Sequence, residues 1–125
     1  MDMIAQYVET ALELERMKGI KTTEKAETNA WIRKYNKLAD KLRNTAIDIN
    51  NKYPELKEDF FQLLYHENTT VRNWVMFQIL DAMDYDFDHR KKAMEAILKR
   101  KETDWQVDMV FDALLDEHPE YRELL

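Results

Sequence analysis

A chain of 125 residues that holds one glycine and two prolines has very few places to turn tightly. β-Hairpins and sheet edges depend on such residues, which supply a positive or fixed φ at a reversal. Helices joined by short polar segments need far fewer of them. The scarcity predicts an all-α chain, and the length fits one domain over residues 1–125 with a modest core.

Apolar spacing divides the chain into six helices and a terminal turn. The first, over residues 3–18, carries Ile4, Val8, Ala11, Leu12 and Met17 as its expected buried stripe, and Gly19 is expected to stop it before a loop at residues 21–24. The second, over 25–51, repeats Trp31, Tyr35, Leu38, Leu42, Ala46 and Ile49 at steps of three and four, the mark of one buried face. The third opens at Pro54, where a missing N–H costs nothing, and runs to about residue 65. A fourth over 71–83 has Val71, Val75, Ile79 and Met83 in register, with Thr69 or Thr70 expected as its cap. The fifth covers 88–101 and the sixth starts at Thr103 or Asp104 and ends at residue 117. One echo recurs 65 positions apart: Tyr53-Pro54-Glu55-Leu56-Lys57-Glu58 and His118-Pro119-Glu120-Tyr121-Arg122-Glu123, each after a helix with apolar residues in register. That shift is close to two helical-hairpin units of the length found in solenoids.

Composition removes several chemistries. Cysteine and serine are absent, which excludes disulfides, thiolate metal sites and serine or cysteine nucleophiles. A single glycine leaves no phosphate-cradling loop. The first nineteen residues are acidic and amphipathic, unlike a signal peptide, and no apolar run approaches the roughly 20 residues that span a bilayer. A cytoplasmic protein without membrane contact is the expectation. With 19 basic against 25 acidic residues the net charge is −6, which disfavours phosphate backbones and favours a partner with a basic surface.

The stretch Asp84-Tyr85-Asp86-Phe87-Asp88-His89-Arg90-Lys91-Lys92-Ala93-Met94-Glu95 spaces its carboxylates as an EF-hand calcium loop does. His89 stands where the loop needs glycine, and three cations follow where ligands should converge. It reads instead as a joint between helices, with Asp88 expected to cap the fifth. His66, His89 and His118 each fall in or beside a turn and show no helical metal-ligand spacing. No metal, cofactor or catalytic residue is expected, and the protein is not expected to be an enzyme.

The segment Leu63-Leu64-Tyr65-His66-Glu67-Asn68-Thr69-Thr70-Val71-Arg72-Asn73-Trp74-Val75 resembles the turn of a HEAT repeat, in which leucines end one helix and Val-Arg opens the next. Val71 would plug the space between paired helices, Asn68 would sit in the turn, and Arg72 would reach turn oxygens with its guanidinium fork. Val107-Asp108 takes the corresponding place later, with reversed charge. The chain as a whole resembles a small bacterial family of HEAT-like domains without assigned biochemical function. The match runs through Gln6-Tyr7-Val8-Glu9-Thr10-Ala11-Leu12, then Tyr35, Asn36, Asp40, Lys41 and Leu42, then Val71, Arg72 and Trp74.

That resemblance implies a short right-handed α-solenoid of about three helical hairpins. It also implies a binding role, because some relatives stand among toxin-immunity proteins. The expected function is a noncatalytic protein-binding module, with toxin neutralisation by occlusion as its concrete version. Trp31, Trp74 and Trp105 are the expected anchors, with Asp84 and Asp86 as acidic contacts. Two alternatives stand beside it. One is a nucleic-acid-binding protein related to base-repair folds, using Arg33, Lys34, Lys37, Lys41 and Arg90 to Lys92. The other is a small structural or oligomerising subunit.

Overall fold

All regular structure among the described residues is helical, and no strand occurs there. The computed structural model of the protein describes residues 2–18 and 25–125; the expected stop at Gly19 and the loop at 21–24 lie outside them. The helices are α1 (Met3–Lys18), α2 (Lys25–Lys52), α3 (Lys57–Gln62), α4 (Thr69–Asp81), α5 (Phe87–Arg100) and α6 (Trp105–Glu117). Short 3-10 turns flank α3, at Pro54–Leu56 and Leu63–Tyr65, and another closes the chain at Pro119–Leu124. The chain divides into two compact units, Met1–Asp59 and Phe60–Leu125.

In the first unit α1 packs on α2. Trp31 Nε1 donates to the Met17 carbonyl at 3.0 Å, and three residues later Lys34 faces Glu13 at 3.6 Å. As one residue number rises the other falls, so the two helices run antiparallel as a hairpin. On α1 the buried side chains are Tyr7, Thr10, Ala11, Leu14 and Met17. Ile4, Val8 and Leu12 are only half-buried, so the buried face is rotated from the expected one. A tyrosine and a threonine hide it from a hydropathy count. Thr10 tolerates burial because its hydroxyl donates to the Gln6 carbonyl at 2.8 Å. On α2 the stripe is fully buried at Leu42, Ala46 and Ile49, whereas Trp31, Tyr35 and Leu38 keep part of their surface in water.

In the second unit α4 packs against α5, α6 and the 3-10 turn before it. Val71, Val75 and Ile79 are buried as their spacing predicts, and Met76, Gln78 and Leu80 are buried as well. Two sides of α4 are therefore covered, which is why its sequence shows little amphipathic contrast. Two caps differ from expectation. Asn68, rather than Thr69 or Thr70, caps α4: its side-chain oxygen accepts from the Val71 N–H at 3.1 Å. Asp86, rather than Asp88, caps α5 by accepting from the His89 N–H at 2.9 Å. In each case the capping side chain sits three residues before the amide it satisfies, on an extended backbone that frees the side chain to reach back. Asp88 then falls inside the first turn of α5, where its charge meets the positive helix end favourably.

The two halves of the sequence echo have nearly the same backbone. Tyr53 lies at φ −132°, ψ 56° and His118 at φ −130°, ψ 69°, each between a helix end and a proline. Proline excludes the helical region from the residue before it, so the helix must stop there. In both, the preceding carbonyl is then taken up by the third amide on: Leu56 to Tyr53 and Tyr121 to His118, each at 2.9 Å.

Candidate functional site

The three tryptophans stand on α2, α4 and α6, one each, and differ sharply in exposure. Trp31 is half-buried, stacked on Tyr35 with ring centroids 5.2 Å apart, and its indole N–H is spent on Met17. Trp74 is also half-buried. Trp105 is 70% exposed, and Met109 one turn on is 59% exposed. The reason is local. Asp104 caps α6 by accepting from the Gln106 and Val107 amides, which starts the helix at Trp105. Val107, Phe111, Leu114 and Leu115 then take the inward face. Trp105, Met109, Asp112 and Asp116 recur at steps of four, three and four on the opposite face, all exposed, with Val110 and Ala113 beside them.

This face is unusual in charge. Helix α6 carries four acidic residues and no basic one. Asp108 is held by Lys101 at 3.3 Å, the same ammonium lying 5.3 Å over the Phe111 ring. Asp116 and Glu117 crowd the end where the helix carbonyls are already negative, an arrangement that costs free energy in isolation. The outer surface of α6 is thus an apolar step at its start and an anionic step at its finish. Asp84 and Asp86, the expected acidic contacts outside α6, are both exposed.

Asp86 is partly committed. Besides capping α5 it meets His89 Nδ1 at 2.6 Å. The hydrogen bonds from the His89 amide and ring hold its carboxyl below the usual aspartate range. His89 in turn packs edge-on against Phe61 at 4.5 Å, and Tyr85 lies 5.9 Å from Phe61. The carboxylate spacing that suggested a calcium loop serves a helix start and an aromatic cluster.

The turn that leads into α4 is built around Arg72. Its Nη1 donates to the carbonyls of His66 at 2.6 Å and Glu67 at 3.1 Å, and Nη2 donates to Thr69 Oγ1 at 3.0 Å. His66 Nδ1 accepts from the Asn68 amide at 3.0 Å, so the turn closes on itself. Val71 is fully buried beneath it. At α6 the same pattern recurs without the arginine: Asp104 caps, and Val107, three residues later, is buried.

One grouping no sequence spacing announced. The potential ligand atoms of Asp81, Glu117 and His118 lie within 4.8 Å of one another, where the end of α4 meets the end of α6. His118 Nε2 faces Asp81 Oδ1 at 3.2 Å, and its Nδ1 faces Glu120 Oε1 at 3.4 Å. The imidazole stacks on Tyr121 at 5.0 Å, and the Tyr121 hydroxyl donates to the Leu80 carbonyl. Residues 81 and 118 are 37 positions apart, so only the packing of α6 on α4 could reveal the pair.

The cations proposed for nucleic acid are set differently. Arg33, Lys34, Lys37 and Lys41 are exposed along α2, with Lys34 engaged by Glu13. On α5, Arg90 and Lys91 are half-buried and Lys92 is exposed. No helix among the described residues is long and apolar enough to cross a membrane. Comparison with protein-family models, with curated proteins and with solved structures finds no match to this chain.

Proposed function

We propose that this protein is a noncatalytic protein-binding module whose contact surface centres on the outer face of α6. The observation that carries the reading is Trp105, 70% exposed beside Met109 on a helix that has four acidic residues and no basic one. A tryptophan held in water gains most when a partner covers it, and tryptophan is enriched among the residues that dominate binding energy. The acidic residues select the partner: a segment with apolar side chains bordered by lysine or arginine satisfies both steps of the face. Asp84 and Asp86 are the next acidic contacts in this reading. Trp31 and Trp74 serve mainly as packing residues in it.

The architecture we propose is a short HEAT-like α-solenoid of about three hairpins. The Arg72 turn, the shared cap-and-valine pattern at Asn68–Val71 and Asp104–Val107, and the matching Tyr53 and His118 joints support it. Neutralisation of a toxin with a basic active surface is the concrete version, resting on the family resemblance and the charge of α6.

The test is capture with the purified product of the adjacent gene, followed by the same experiment with Trp105→Ala and with Asp112→Lys. Binding that weakens at least about tenfold in both variants supports the reading, since hot-spot truncation costs that much or more. Binding that is unchanged in both variants overturns the α6 surface. Absence of binding and of protection overturns the toxin-neutralising version.

A further inference from the structure

We propose that Asp81, Glu117 and His118 form a binding site for a divalent transition metal of the zinc class. A neutral imidazole has one N–H and one lone pair, yet His118 has a carboxylate at each nitrogen: Asp81 at 3.2 Å and Glu120 at 3.4 Å. One of those contacts sets lone pair against anion unless a second proton or a metal ion lies there. Glu120 is the natural acceptor for Nδ1–H, the outer-sphere carboxylate that orients so many metal-bound histidines. The lone pair of Nε2 is then turned toward Asp81 and Glu117.

Bonds of 2.0–2.1 Å in a tetrahedral zinc site put neighbouring ligand atoms roughly 3.3 Å apart. The Asp81–His118 separation of 3.2 Å already has that length. Only Glu117 must close in from within 4.8 Å, and its side chain is exposed. One histidine with two carboxylates and a fourth position for water is a donor set that suits zinc better than calcium or magnesium, which take oxygen ligands.

The ring is held from outside the group, stacked on Tyr121, whose hydroxyl is anchored on the Leu80 carbonyl. Leu80 directly precedes Asp81, so one anchor positions both ligands before any ion arrives. The site also lies at the negative end of α6, which has no basic residue in its last turn. A dication there would offset the repulsion among Asp116, Glu117 and the helix carbonyls.

The test uses the full chain, stripped of metal with a chelator and exchanged into buffer near neutral pH. Zinc at about 100 μM should raise Tm by roughly 5 °C or more, through preferential binding to the folded state. Glu117→Gln, an exposed substitution expected to leave the metal-free Tm within about 1 °C, should abolish most of the rise, as should Asp81→Asn. Cobalt should give the visible absorption of a tetrahedral site in the parent chain and not in either variant. Calcium and magnesium should leave Tm unchanged. Absence of a zinc-dependent rise overturns the proposal, and so does an equal rise in Glu117→Gln. A ring shown by nitrogen NMR to carry both protons in the presence of zinc overturns it too. None of these readouts involves a protein partner, so the result leaves the proposed binding function to its own test.

Discussion

Arg72 Nη1 donates to the His66 carbonyl at 2.6 Å, tying the first turn of α4 to the polar segment that precedes it. The same guanidinium holds the Glu67 carbonyl and the Thr69 hydroxyl, so three oxygens depend on one side chain. Arg72→Ala should destabilise the protein by about 2 kcal/mol, the range for hydrogen bonds to a charged donor. Arg72→Lys should recover only part of that, because a single ammonium cannot reproduce the planar fork. Urea denaturation followed by circular dichroism measures both. Full recovery with lysine would show that charge alone matters there.

The tryptophans should divide by environment. Trp31→Ala should cost about 2 kcal/mol, since it removes a stacked ring and orphans the hydrogen bond to Met17. Trp105→Ala should change stability by less than about 0.5 kcal/mol, as exposed substitutions away from special features do. The same denaturation curves decide it. A large loss at Trp105 would mean that its role is packing rather than contact.

Alkaline pH should destabilise the fold through its tyrosines. Burial pushes Tyr7 well above the ordinary tyrosine range, and Tyr35 and Tyr121 are raised for the same first cause, with the Arg90 charge opposing it at Tyr121. The unfolded chain therefore loses these protons first. Their contribution is intact below about pH 10 and is lost as pH rises toward the folded values. Tyrosinate absorbance should rise together with loss of helical signal. Tyr7→Phe, normalised to its own stability near neutrality, should delay that transition.

Acid should act first at the start of α5. Asp86 is held below the usual aspartate range by His89, so the folded state favours its charged form. That contribution is present above about pH 4 and disappears as pH falls through the lowered value. Protection of the His89 and Arg90 amides against exchange, relative to an unfolded chain at the same pH, should fall there before the rest of α5 opens. Uniform loss of protection along α5 would count against a local cap effect.

Much of the helical layout was legible in the sequence because it depends on neighbours within a few positions. Scarce turn residues exclude hairpins of strand, and periodicity placed all six helices, within two residues at each boundary of α1, α2, α4, α5 and α6. Pro54 and Pro119 force the same joint for the same steric reason. Even the capping errors were local: the right turns were named, and a side chain one or two positions earlier reached the amide.

Other features were decided only by tertiary packing. The buried face of α1 runs through Tyr7, Thr10 and Leu14 because α2 packs on that side, and a local hydrogen bond makes Thr10 acceptable there. Nothing in the spacing separates Trp105 from Trp31 and Trp74; their difference comes from which side of α6 faces inward. The meeting of Asp81 with His118 is of the same kind. Helix periodicity reports which residues share a face, whereas burial and convergence depend on which other segment arrives at that face. That choice is settled by contacts between residues far apart in the chain, which only the folded structure displays.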